Sequence, residues 1–151
     1  MIVGLAFHIL AAVLWVGGMF FAYAILRPGT GSLEPAVRLP LWYRVLARFF
    51  LWVWLSIAVL LTRGFAMVFL GFGGFATVAV YVRAMMMLGI LMMVIYTYLY
   101  FVPWQRFRRT VSRADWLAAE MHIRHIRLLV GSNLVLGFAT VVIGASGRYY
   151  G

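Results

Sequence analysis

The residues Gly4–Pro28, GLAFHILAAVLWVGGMFFAYAILRP, decide the fold. A helix needs roughly 20 mostly apolar residues to cross the hydrocarbon of a bilayer, and nothing in this stretch is charged before Arg27. Positions spaced alternately four and three apart share one helical face. That face carries Gly4, His8, Ala11, Trp15, Gly18 and Ala22, while Ile, Leu, Val and Phe occupy the others. Small residues let a neighbouring helix or a flat ligand approach the backbone, and a polar imidazole in a span faces the bundle interior. The first helix therefore offers a groove with one histidine in it.

Composition extends the membrane reading to the whole chain. Of its 151 residues, 66% are hydrophobic and 11% charged, against about a quarter charged in soluble domains. The net charge of +10 comes entirely from arginine, since the chain has no lysine. In a membrane protein these arginines read as topology signals rather than as a nucleic-acid footprint. There is no cysteine, so a metal would be held by His, Met, Tyr or carboxylate. The first span has no basic segment before it and runs into Arg27-Pro28 without a small-residue cleavage site, which reads as a retained span.

Four spans are expected, at about residues 2–26, 45–70, 76–102 and 128–146, in a single all-α membrane domain of residues 1–151. Pro28 and Gly29-Thr30-Gly31-Ser32 stop the first helix. Pro40 suits a first helical turn, with Trp42, Tyr43, Arg44 and Arg48 as an interfacial belt before the second span. Gly71-Phe72-Gly73-Gly74 reads as a turn, and Pro103 stops the third span. Ser112 and Asp115 resemble a capping box that starts the last helix, whose early, amphipathic part over about residues 113–127 projects from the membrane or lies along its surface before the fourth span.

Four spans place the first and third connections on one side. That side holds Arg27, Arg38, Arg44, Arg48, Arg106, Arg108, Arg109, Arg113, Arg124 and Arg127, whereas the other holds Arg148 and, near its boundary, Arg63 and Arg83. The positive-inside bias then predicts a multi-pass inner-membrane four-helix bundle with both termini periplasmic.

At ~1.5 Å per residue, His8, Arg63 and Arg83 fall at comparable depths near the periplasmic boundary. A porphyrin between bundle helices takes a neutral imidazole, small residues beside the ring, aromatic walls and cations for its carboxylates. His8, Gly18, Trp15, Arg63 and Arg83 supply these in turn, with Met86 or Met87 available as a second axial ligand. The competing structural reading is an imidazole bonded to a neighbouring helix and arginines that snorkel to the interface. His122 and His125, three apart at the opposite end, are spaced for joint metal ligation or for a solvated helix face. Met85, Met86, Met87, Met92 and Met93 crowd the third span, with Met19 and Met67 elsewhere. Thioether with imidazole suits Cu(I), although methionine is also an ordinary core filler.

A resemblance joins these observations. The segment from His8 through Trp15-Val16-Gly17-Gly18 to Arg27-Pro28 resembles the CopD copper-resistance family. So do the Arg-bearing third span and Arg127-Leu128-Leu129 leading to Asn133-Leu134-Val135-Leu136-Gly137. That resemblance implies copper handling. More distantly the chain is similar to the HemJ type of protoporphyrinogen oxidase, whose four-helix core is associated with haem b. His8 matches its first-helix histidine, and Arg83 stands about where that family has a lysine. The leading expectation is a haem b-binding redox protein, for electron transfer or porphyrin-linked oxidation, with His8 on iron and Arg63 and Arg83 at the propionates. The alternatives are a copper transport or resistance protein using His8 and methionines, and a non-catalytic subunit of a larger membrane complex. The expected partners are the lipid bilayer and a redox protein, membrane-complex subunits or a second copy of the chain; nucleic acid is not expected.

Overall fold

The computed structural model describes residues 2–71 and 73–149; Phe72 of the expected turn and the Arg148 side chain lie outside that description. Helix α1, Ile2–Phe20, continues through a π-helical turn, Phe21–Leu26, into the short α2, Arg27–Gly29. Thr30 closes this end by donating its hydroxyl to the Leu26 carbonyl at 2.9 Å. Helix α3 runs over Pro35–Ala66 and ends in a second π-helical turn, Met67–Gly71. Gly73 and Gly74 follow at φ of 76° and 116°, a left-handed backbone that only glycine adopts without strain. Helix α4 is Val80–Phe101, α5 is Pro103–Ser112, and α6 is Trp116–Ser146. The all-helical chain thus has four helical segments long and apolar enough to cross a membrane: Ile2–Gly29, Pro35–Gly71, Val80–Ser112 and Trp116–Ser146.

Three boundaries differ from the sequence expectation, each for a local reason. The second helix starts at Pro35 rather than near Pro40, because Pro35 takes the first-turn position and Pro40, one turn further in, interrupts the ladder without breaking it. The amphipathic segment before the last span and the span itself form one helix, α6, which starts at Trp116, while the arginine-rich connection over residues 103–112 forms a separate short helix, α5. Pro103 breaks the chain at Val102 yet also occupies the first position of α5. Asp115 caps α6 alone, its carboxylate accepting from the Ala118 amide at 3.2 Å. Ser112 turns back to the Arg109 carbonyl instead of forming a capping box.

Glycines set which helices approach closely. A Cβ on Gly18 would lie 2.3 Å from the Phe49 ring, one on Gly137 2.9 Å from Val16, and one on Gly144 2.8 Å from Met85. Those clashes show that α1 is fitted against α3, and α6 against both α1 and α4. The α3–α4 pair is spaced by large aromatics instead. The Trp54 and Tyr96 rings are 5.1 Å apart, and Phe50 and Tyr96 5.6 Å. Tyr96 donates its hydroxyl to the Phe50 carbonyl at 2.9 Å, and Asn133 donates its amide to the Met92 carbonyl at 3.1 Å. These bonds satisfy the Tyr96 hydroxyl and the Asn133 amide N–H in the bilayer interior, while Asn133 Oδ1 stays without a partner. Around the core, Leu51, Leu128 and Val135 are about two-thirds exposed, as expected of side chains that meet lipid.

At ~1.5 Å per residue α3 is about 48 Å long, well beyond the ~30 Å hydrocarbon layer. Its excess lies at the arginine-rich end. There Tyr43 stacks on Trp104 of α5 with ring centroids 5.6 Å apart, and Phe107 and Ile123 are fully buried. The bundle thus has a second packed layer at that end, built from the start of α3, α5 and the start of α6.

Candidate functional site

Two polar regions stand at opposite ends of the bundle. At the end bearing the termini, His8 is half-buried, and its Nδ1 is shielded from solvent without a hydrogen-bond partner. It faces α3 where that helix has no side chain: a Cβ on Gly64 would lie 4.0 Å from His8 Cε1. One turn away, Arg63 reaches back over α1, its Nη1 3.6 Å from a Cβ built on Gly4. Sequence depth alone had placed His8 and Arg63 together, and the α1–α3 packing agrees.

Arg83, Met86 and Met87 do not gather around His8. Arg83 is on an exposed part of α4, Met87 is 73% exposed and Met86 only half-buried. The physical reason is rotation: α4 turns Met85 onto Gly144 and Met92 onto Gly137 of α6, and residues one or two positions from Met85 must then point elsewhere. Trp15 and Gly18 are accounted for by packing. Trp15 is buried edge-on to Tyr96 at 6.1 Å, and Gly18 receives the Phe49 ring. The small-residue stripe is therefore filled by side chains and is not a slot for a flat ring, which removes the structural argument for haem b beside His8.

The same rotation turns Met85 and Met92 inward, in place of Met86 and Met87, the thioethers expected from the sequence. Val16 and Met92 meet at Gly137, and Met85 sits on Gly144. Since α1 and α6 are antiparallel, seven residues beyond Gly137 is level with seven residues before Val16, next to His8. Met85 thus shares the depth of His8, Met92 lies about 10 Å deeper, and buried Met19 follows one turn beyond Val16 on α1. The sequence signal was the seven-residue spacing shared by Met85/Met92 and Gly137/Gly144.

At the arginine-rich end, Glu120 takes a hydrogen-bonded ion pair from Arg38. Its other oxygen lies 3.9 Å from Arg124 Nε and 4.0 Å from Arg127 Nη1. Arg127 also lies over the Trp42 ring at 5.3 Å, and Trp42 donates its indole N–H to Thr30 at 3.2 Å. This cluster was visible in sequence only as a surplus of arginine. His122 and His125 share α6 with it: His122 is close enough to Arg106 and His125 to feel their charge, and His125 lies 5.9 Å from the Tyr98 ring. Among the described residues no three of His, Cys, Asp or Glu gather in a metal-binding group.

Neither a curated protein nor a solved structure matches the chain. A family model described as Copper resistance protein D matches residues 43–146. That stretch takes in most of α3 and all of α4, α5 and α6, including Met85, Met92 and the glycines beneath them, and begins after His8. It covers more than half of the sequence, and the chain belongs to the CopD, copper resistance protein D, family.

Proposed function

We propose that the protein handles copper, taking Cu(I) at the end that bears its termini and passing it into the bundle. The observation that carries this reading is the shielded, unpartnered Nδ1 of His8 at the depth of Met85. A buried imidazole nitrogen without a partner is costly, and a soft cation satisfies it. Imidazole plus thioether suits Cu(I), and Met92 and Met19 offer further thioethers at greater depth. The flexible, polarisable methionine side chain exchanges one contact for another at small cost. Copper is the cargo in this scheme. Haem b, the leading expectation from sequence, loses its place because Phe49 fills the groove at Gly18 and Met87 is turned outward.

The test is Cu(I) movement into sealed vesicles holding the purified protein, followed anaerobically with a Cu(I) chelator trapped inside. Vesicles with the protein fill faster than protein-free vesicles. Equal rates overturn the transport reading.

We further propose that the protein lies in the inner membrane with both termini outside, since Arg27, Arg38, Arg106, Arg108, Arg109, Arg113, Arg124 and Arg127 all cluster at the opposite end. A single cysteine added at either terminus of this cysteine-free chain is expected to react with an impermeant maleimide in intact spheroplasts. Labelling only after lysis reverses the orientation. In this arrangement His122 and His125 face the cytoplasmic side beside Arg106, a cationic setting that opposes metal binding, and they act as polar groups of the helix surface.

A further inference from the structure

On α5, Gln105 is followed by Arg108, Arg109 and Ser112 at steps of three, four and seven residues, which puts all four on one face of the helix. Trp104 and Phe107, on another face, are buried, so α5 is anchored by its aromatic side chains and its polar face is held in place. That face, with Val111 and with Tyr43 of α3, borders a recess of about 420 Å³. Sites for small ligands span ~300–1,000 Å³. The recess is open to solvent rather than part of the core: Arg108, Arg109 and Ser112 are exposed, and Tyr43, Gln105 and Val111 are half-buried.

Its lining carries two arginines and no acid. Gln105 donates its amide to the Tyr100 carbonyl at 3.3 Å, and its oxygen accepts from Arg108 Nη1 at 3.3 Å. The Arg108 guanidinium is thus oriented by a neutral group, which fixes its direction and leaves its charge uncompensated. Every ion pair among the described residues is made by Glu120, so neither arginine of the recess has an acidic partner. Asp115, the acid nearest to them in sequence, is turned to the Ala118 amide. Two guanidinium groups held side by side repel each other until an anion joins them. A carboxylate, with two oxygens, matches one guanidinium fork, whereas a tetrahedral phosphate presents oxygens to both.

We propose that this recess binds a net-negative phosphate group, carried either by an anionic phospholipid at the membrane boundary or by a free phosphate compound. Arg108 and Arg109 hold its oxygens, and Gln105 is the positioning residue that aims Arg108.

The site is tested on the full-length protein in neutral detergent with two probes. Binding of radiolabelled inorganic phosphate is measured by equilibrium dialysis against chloride at equal ionic strength. Phosphatidylglycerol and phosphatidylcholine of identical chains are set in competition, and bound lipid is counted by native mass spectrometry. At least one probe is expected to be retained about tenfold over its reference, as the loss or gain of one hydrogen bond to a charged group implies. A phosphatidylglycerol preference that survives millimolar phosphate assigns the group to a lipid; phosphate that binds without lipid, or displaces it, assigns a free compound. In either case Arg108→Gln with Arg109→Gln reduces retention about tenfold. Gln105→Glu, which sets a carboxylate beside Arg108 and keeps both arginines, does the same and guards against a folding defect in the double variant. Arg106→Gln with Arg113→Gln removes equal charge from the same connection outside the recess and leaves retention within about twofold. Retention no better than the references, an equal loss in the two double variants, or undiminished binding in Gln105→Glu overturns the proposal.

Discussion

Replacing His8 with alanine is expected to weaken Cu(I) binding by about a hundredfold, while the protein still inserts and purifies as the wild type does. The magnitude follows from losing the one imidazole ligand available at this depth: a ligand contributing ~3 kcal/mol corresponds to about two decades in affinity. Competition with a Cu(I) chelator in detergent measures it. Met85→Leu, which keeps the volume against Gly144 but removes the sulfur, should weaken binding less, because Met92 offers another thioether two turns along the same face. His122→Ala with His125→Ala should leave the affinity unchanged and serves as the control. If His8→Ala binds Cu(I) as tightly as wild type, the imidazole is no ligand and the site at the terminal end is wrong.

The second large effect is expected at the other end. Glu120→Ala removes the single carboxylate that Arg38, Arg124 and Arg127 share. The side chains of Arg38 and Arg127 are only 16% and 17% exposed, so their charges stay partly buried without a counter-charge. Breaking a fully buried pair costs about 3–5 kcal/mol, and an interfacial position reduces this to roughly 2 kcal/mol. Thermal unfolding in detergent should show a lower midpoint, with the difference narrowing as salt screens the exposed part of the repulsion. Arg124→Ala, at a side chain 75% exposed, should change stability little. A midpoint unaltered by Glu120→Ala would mean that solvent, not Glu120, balances these arginines.

These two ends differ in how well the sequence announces them. Long apolar runs identify the four spans because backbone polar groups in lipid must bond within their own helix. The neighbourhood of His8 and Arg63 followed from the same count, since depth in an antiparallel bundle is fixed by residue number. The facing of α4 did not follow. Its residues Val80–Phe101 are apolar on nearly every face apart from Arg83, so periodicity gives little inward direction, and following the face of Arg83 pointed to Met86 and Met87 rather than to Met85. Only Gly137 and Gly144 on α6 decide that Met85 and Met92 turn inward.

Helix limits failed at proline: Pro103, read as a stop, also begins α5, and the first-turn place given to Pro40 belongs to Pro35. The Glu120 cluster was hidden for another reason. Arg38 and Glu120 are far apart in sequence, and nothing local couples the start of α3 to the start of α6. The groove at Gly18 failed as a ligand site because its occupant, Phe49, comes from another helix.

The central claim is that the interior of this bundle serves copper. It is tested most directly by the absorption spectrum and metal content of wild-type protein purified anaerobically after growth with added copper. The account predicts bound copper and no Soret band, with the copper lost on His8→Ala. A Soret band that disappears on His8→Ala, in protein without copper, would contradict it and restore the haem reading.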